Sequence, residues 1–531
     1  MTQSPIEEID ALVIGAGITG LYQLYCLRQV GLDARIFEAG DGVGGTWYWN
    51  RYPGARLDSE SWSYAYSFSR ELLEEWDWSE EFVGQPELER YLNHVADKFA
   101  LRPHIVLGAR VRSLVFDDRA NRWDVETEDG RRVRARFVVA ATGLLSANHL
   151  PDIPGIESFG GLSFHTSRWP REKVDFAGKR VGIIGTGSTG VQLIPQLAKE
   201  CTHLTVFQRT PNYCSPLRNA PIPAERMRAI KAGYDAIFET CRSNIGGFVH
   251  SPDPRGTFEV TDAERRSFYE AIWSQPGFVK WFGNFRDLMT DRDANEAYCE
   301  FVRSKIRERV KDPVVAELLC PKDHHFGAKR VPLETDYYEA YNRDNVLLVD
   351  VKADPIEAIV PTGVRTKRAS YDLDVLIHAT GFDAATGEVL RMDVRGVGGE
   401  SLRSHWDAEP TAYMGLSTAG FPNLFFENGT LFCNFTRCAE ATAEFVARCL
   451  GHLRDQGYRR IEADPKAEAR WVERVRASAS ATLVSDVSNW MNGSNIPGKP
   501  KAQLIFAEGF AAYLELCREV EERGYAGFNL E

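Results

Sequence analysis

Apolar residues along this chain recur in two rhythms. Short, nearly unbroken apolar runs at Ile9–Ile14, Asp33–Phe37, Arg180–Ile184, Leu204–Phe207, Val346–Val351 and Leu373–His378 read as strands buried on both faces. Ile18–Val30 and the stretch from Val191 read as the helices that follow the first and third of these runs, so two βαβ units are predicted. From about residue 225 the period turns helical, over Glu225–Arg242, Thr261–Trp273 and Asp291–Val310. The expected fold class is α/β, with two doubly wound, Rossmann-like nucleotide-binding domains and a helical insert.

Each βαβ unit opens on a glycine fingerprint. The first is Gly15-Ala16-Gly17-Ile18-Thr19-Gly20 and the second Gly185-Thr186-Gly187-Ser188-Thr189-Gly190. In such a turn the glycines permit a tight bend, close approach to a pyrophosphate and close helix–strand packing. The helix N-terminus then offers unpaired N–H groups to the phosphates. Two fingerprints imply two nucleotides, and a flavin with a nicotinamide can exchange a hydride.

The residue closing the second strand separates the two sites. Glu38 lies 23 residues beyond Gly15, where a carboxylate accepts from a ribose diol and repels a 2′-phosphate. The first site therefore suits FAD or NAD. The same count from Gly185 reaches Gln208, followed by Arg209 and Thr210, a guanidinium and a hydroxyl suited to a 2′-phosphate. The second site reads as NADP(H).

Composition narrows the class further. The 531 residues are 44% hydrophobic and 26% charged, ordinary for a globular protein of two or three domains. The net charge of −12 argues against nucleic acid or an anionic membrane as partner. No signal-like start or run of eighteen apolar residues is present. Ten scattered cysteines without a C-x-x-C pair or zinc spacing suggest free thiols in a reducing cytoplasm and no metal site.

Gly42–Asp58 is glycine-rich and aromatic, with Gly45, Thr46, Trp47, Tyr48, Trp49 and Tyr52 able to wall a flat ring or simply fill a core loop. Between the two fingerprints, Phe159-x-Gly161-x-x-x-His165-x-x-x-Trp169-Pro170 matches the signature F-x-G-x-x-x-H-x-x-x-W-P, and the chain thereby resembles the type I Baeyer–Villiger monooxygenases. The resemblance runs from residue 9 to the NIPGK stretch, and the text around Arg330 is most like terpenoid-ketone members. It implies FAD and NADP(H) as cofactors and a ketone, of a cyclic, bulky or terpenoid kind, plus O2 as substrates. The product would be an ester or lactone, formed through a C4a-peroxyflavin by a cytoplasmic monomer or homodimer.

The resemblance also implies roles. Arg330 would stabilise the anionic oxygen species and Asp58 would orient it, while Lys329 and Arg209 would contact the 2′-phosphate. Trp490 would sit on a mobile loop, near 487–504, that folds over the nicotinamide cofactor. Gly45, Thr46, Trp47, Asp58 and Tyr64 would contact the flavin nucleotide, and Ser188 and Thr210 the nicotinamide nucleotide. Phe159, Gly161, His165 and Trp169 would form a structural or hinge element rather than a catalytic one. Family members commonly read GPNGPF where this chain reads Glu427-Asn428-Gly429-Thr430-Leu431-Phe432, which makes Phe432, Cys433 and Phe435 candidate pocket residues without fixing the ketone.

The expected organisation is an FAD-binding domain from 1–150 and 381–531. An NADP-binding domain from 151–220 and 329–380 would interrupt it, with the helical insert at 221–328. Weighed against oxygenation of ketones are N- or S-oxygenation by a related flavin monooxygenase, a disulfide reductase lacking its C-x-x-C, and a non-catalytic NADPH sensor.

Overall fold

A strand with both faces buried must be flanked by helices, and parallel pairing of such strands needs a crossover between them. That constraint organises the computed structural model, which describes residues 6–427 and 433–531. A first sheet pairs Glu7–Ile14 in parallel with Ala34–Phe37 on one side and Arg132–Ala140 on the other. The start of Arg132–Ala140 also meets Arg122–Thr127 in an antiparallel meander, and its end pairs in parallel with Leu424–Phe426. A second sheet is wholly parallel, in the order Val346–Asp350, His203–Gln208, Arg180–Ile184, Val375–His378, Leu162–His165.

The expected elements are present with ends shifted by one to three residues. Helix Ile18–Gln29 follows the first fingerprint, and Ser188–Glu200 follows the second, starting three residues before the expected Val191. The insert supplies helices Ala224–Ser243, Asp262–Trp273 and Arg292–Arg309. Thr261 caps the second of these in a reciprocal box with Glu264, and Asp291 caps the third through Ala294 N–H. Periodicity did not flag the 22-residue helix Phe435–Gln456, whose buried face packs on Ile18–Gln29.

One expectation fails. Free thiols were expected throughout, and eight cysteines are indeed free and buried, but Cys433 and Cys438 are joined as a disulfide. Cys438 lies in the first turn of Phe435–Gln456 and Cys433 just ahead of it, which leaves their Cα atoms 6.3 Å apart. That separation lies within reach of a disulfide.

The chain leaves the first sheet after Ala140 and returns after His378, and the two crossings bind each other. Thr380 Oγ1 donates to His149 O at 2.6 Å, His149 N to Gly381 O at 3.0 Å, and Asp383 N to Ala147 O at 2.8 Å. His165 joins this ribbon. Its Nδ1 accepts from Ser167 N at 3.1 Å, so Nε2 carries the proton and donates to Gly381 O at 3.1 Å. Burial, reinforced by His378, Arg168 and His149, lowers the His165 pKa to about 4 despite the Gly381 contact. Burial alone takes His378 to about 4, with Nε2 against Ser163 Oγ at 3.1 Å.

Both imidazoles are thus neutral in the fold and protonate near 6.5 once unfolded. Stability is then fully present above about pH 6.5 and falls as pH drops towards 4, because the unfolded chain binds more protons. Each histidine contributes at most about 3 kcal/mol to that loss. Urea midpoints measured from pH 7 to 4.5 should fall, and His378→Asn should flatten the dependence by about one proton. An unchanged slope in that variant would remove His378 from the account.

Candidate active site

The first fingerprint forms a cradle at the carboxyl end of its strand. Gly15 takes φ +106°, and a Cβ there would lie 2.6 Å from Ala141 O. A Cβ on Gly20 would collide with Gly15 O, so the helix can pack this close only without one. Glu38 is buried, its Oε2 accepting from Ala16 N at 2.7 Å and its Oε1 from Gly40 N at 2.6 Å. Burial raises its pKa although these backbone donors and Arg110 oppose the shift. The carboxylate is held at the mouth of the turn, with lone pairs remaining for a diol.

A cavity of about 410 Å³ opens over this turn, lined by Gly15, Gly17, Glu38, Gly45, Thr46, Trp47 and Tyr64 among others. Trp47 Nε1 donates to Tyr64 Oη at 3.2 Å, and burial raises the Tyr64 pKa, so its hydroxyl stays protonated. Space, backbone donors and aromatic walls suit a flavin dinucleotide. The second turn repeats the geometry, with Gly185 at φ +111°, while a Cβ on Gly187 would meet nothing within 4 Å. Gly190 packs against Gly185 O as Gly20 does against Gly15 O, and Ser188 opens the helix.

Arg209 is exposed beyond the end of its strand, next to Thr210, whose carbonyl accepts from Thr186 Oγ1 at 3.3 Å. Lys329, half-buried, has its pKa lowered by burial and by the positive fields of Arg209 and Lys352, with Asp323 opposing. The two cations expected to meet a 2′-phosphate thus interact, Arg209 raising the cost of the Lys329 charge. A bound dianion relieves that cost.

Asp58 and Arg330, 272 residues apart, form an ion pair with Oδ2 2.5 Å from Nη1. Asp58 arrives on the aromatic segment, which docks on the second unit: Tyr52 Oη donates to Gln192 Oε1 at 2.8 Å, and Gln192 Nε2 to Arg56 O at 3.2 Å. Burial disfavours the guanidinium charge, but Asp58 outweighs it and leaves the Arg330 pKa above its usual value. Its Cζ lies 5.7 Å from the Phe278 ring centroid. The result is a permanent cation, 27% exposed, fixed between the two nucleotide units.

The loop expected near 487–504 is pinned against this centre. Asn489 Nδ2 donates to Ala328 O at 3.1 Å, Asn495 Nδ2 to Phe382 O at 2.9 Å, and Lys499 pairs with Asp383. Trp490 starts a one-turn helix there and is half-buried. Phe159 and Gly161 pack at the far end of the second sheet, where a Cβ on Gly161 would meet the Phe159 ring. Trp169 is buried edge-on against Phe164, ring centroids 4.7 Å apart, as a packing residue.

Phe435 lines the nucleotide cavity, Cys433 packs beside Gly247, and Phe432 lies outside the described residues. Beside the cavity, a small apolar void of about 60 Å³ shares Thr142 and Gly143 with it and is lined by Leu144, Trp406, Phe426 and Leu504. Glu427 also borders it, buried, with neither carboxylate oxygen hydrogen bonded. Sequence reasoning missed Arg110, Arg168, Glu388 and Arg391 on the cavity wall. Arg110 and Glu388 pair at 2.8 Å across 278 residues, a proximity that no local spacing signals.

Comparison with known proteins agrees with this geometry. Residues 10–215 match the model of the flavin-binding monooxygenase-like family. The chain is 46% identical to 2-oxo-Δ3-4,5,5-trimethylcyclopentenylacetyl-CoA monooxygenase of Pseudomonas putida, over 98% of each chain. It superposes on OTEMO in complex with FAD and NADP with a TM-score of 0.96 at 46% identity, covering 98% of this chain and 99% of that one. For closed cyclohexanone monooxygenase the TM-score is 0.97 at 42% identity, with 99% of both chains covered. A relative with other chemistry is also similar: phenazine N-monooxygenase PhzNO1 of Lysobacter antibioticus, 40% identical over 100% of this chain and 98% of that protein. Two glycine cradles, an arginine fixed between them and these whole-length likenesses lead to one assignment: the chain belongs to the Baeyer–Villiger monooxygenases.

Proposed function

We propose that the protein is an FAD- and NADPH-dependent monooxygenase that inserts one atom of O2 beside the carbonyl of a ketone, giving an ester or lactone. The observation that carries this reading is the Asp58–Arg330 pair, a fixed positive charge held by a segment that lines the first cavity at residues 45–50 and docks on the helix of the second unit through Tyr52 and Arg56. When bound, the reduced flavin supplies the activation of O2. The protein's own residues hold the nucleotides, fix charge and keep water out.

In this reading Gly15, Gly17, Gly20 and Glu38 seat FAD, with Gly45, Thr46, Trp47 and Tyr64 along the cavity wall. Gly185, Gly187, Ser188, Gly190, Arg209, Thr210 and Lys329 seat NADP(H), and Trp490 rides on the segment that covers it. Arg330 faces the developing oxyanion and Asp58 keeps the guanidinium in place. A cyclic ketone is favoured by the cyclic ketones named for similar proteins. The cavity over the first turn is lined from both sides of the second unit, by residues before 150 and by Glu388, Arg391, Met392 and Phe435, which supports the division at about 150 and 381. Among the described residues no helix is long and apolar enough to cross a membrane. Eight buried free thiols fit a reducing cytoplasm.

The phenazine relative supports a second reading, oxygenation of an aromatic ring nitrogen. The deciding assay supplies NADPH and 18O2 to the FAD-loaded enzyme with cyclic ketones and N-heterocycles in separate reactions. A lactone carrying one labelled oxygen supports the first reading; labelled N-oxide with unchanged ketone overturns it.

Two substitutions test the roles. Arg330→Ala should leave flavin reduction by NADPH near the parental rate and cut ester formation by roughly 10²–10³-fold; stopped-flow reduction and product analysis separate the two steps, and ester at the parental rate would dismiss Arg330. Arg209→Ala should raise KM for NADPH about tenfold or more, the loss of one charge-assisted contact, with KM for NADH little changed. Equal effects on both nucleotides would exclude a contact to the 2′-phosphate.

A further inference from the structure

Four arginines line the large cavity over the first glycine turn: Arg110, Arg112, Arg168 and Arg391. Three are already balanced by acids. Arg110 and Arg391 meet Glu388 at 2.8 and 3.2 Å, and Arg112 meets Glu126 at 2.8 Å. Arg168 alone of the four has no carboxylate within ion-pair distance among the described residues. Its one polar contact is from Nη1 to Ser167 O at 3.3 Å. The acid nearest in function, Glu38, already has both oxygens engaged by Ala16 N and Gly40 N.

The guanidinium is nonetheless held in place. Its Cζ lies 4.2 Å from the centroid of the Trp49 ring, and Trp49 lines the same cavity. Burial pulls its pKa down, Arg110 and Arg391 adding to the effect and Glu388 and Glu38 opposing it, so its charge is held at a net cost. A positioned, partly desolvated cation with four N–H donors to spare is matched by an anion of fixed geometry. The cavity is built to receive one, because phosphates settle where helix Ile18–Gln29 presents its N-terminus.

We propose that Arg168 grips the pyrophosphate of the bound dinucleotide from the opposite wall to the glycine turn. The connection between the two sheets thereby forms part of the cofactor site. Arg168 ends the short helical turn Thr166–Arg168. Three residues before it, His165 is bonded to Gly381 in the other crossing, and one residue after it Trp169 is buried. An anion captured there ties the connection down at its middle. The inference rests on the first site being the FAD site.

The test is reconstitution of the full-length apoprotein with FAD, followed by flavin fluorescence at several salt concentrations. Arg168→Ala should raise the FAD Kd at least tenfold and weaken its dependence on salt, and Arg168→Lys should recover part of both. Thermal unfolding of each apoprotein reports whether the fold survives. If Arg168→Ala does not fold, Arg168→Gln, which keeps the stem over Trp49, gives the same comparison. Parental affinity and salt dependence in a folded Arg168→Ala or Arg168→Gln protein overturn the proposal. If the parental apoprotein itself fails to bind FAD, the assignment of the first site fails, an outcome separate from any effect of Arg168.

Discussion

The relation of the two nucleotide units depends on the chain passing twice between a mixed sheet and a wholly parallel one. Parallel strands buried on both faces are joined by crossovers, and the chain leaves each sheet at a carboxyl edge, after Ala140 and after His378, where nucleotide sites also form. The paired crossings, 147–149 against 381–383, bring those edges together. His165, Asn495 and Lys499 all bind within Gly381–Ala384. Asp58 and Arg330 meet only because this arrangement places residues 272 positions apart side by side.

Charge in the site follows from that geometry. Arg330 is kept cationic by Asp58 against the cost of burial, whereas Lys329 is pushed the other way by burial and by its cationic neighbours. One positive centre is satisfied within the protein and another awaits an anion. His165 shows the converse: its place in the fingerprint invites a catalytic role, but both ring nitrogens are committed to backbone and side-chain contacts that hold the connection. A neutral imidazole so bonded serves as a clasp.

Much of this was legible in the sequence because it is local. The strand Arg180–Ile184 and the helices Asp262–Trp273 and Arg292–Arg309 follow from the local pattern of apolar and charged residues. Gly15 and Gly20, the pair Arg209 and Lys329, and Trp169 as a packing residue could be named from motif and resemblance. The antiparallel meander ending at Ala140 was missed, since its alternating pattern is broken by buried stretches. Arg110–Glu388 and the stacking of Arg168 on Trp49 arise from tertiary proximity, which no spacing rule encodes. The Cys433–Cys438 link went unforeseen because cysteine spacing was read only for metal and redox motifs.

The double crossing also has a mechanical consequence. A single connecting strand would let one nucleotide unit swivel freely against the other. Two segments cross-linked by backbone hydrogen bonds behave as a narrow ribbon, stiff to twist and stretch and compliant chiefly to bending about one line. Reorientation of the second sheet is thereby reduced to travel along an arc. A hydride donor carried on that sheet would revisit the same few positions on every cycle, so the timing of turnover can vary while the alignment of the reacting groups does not.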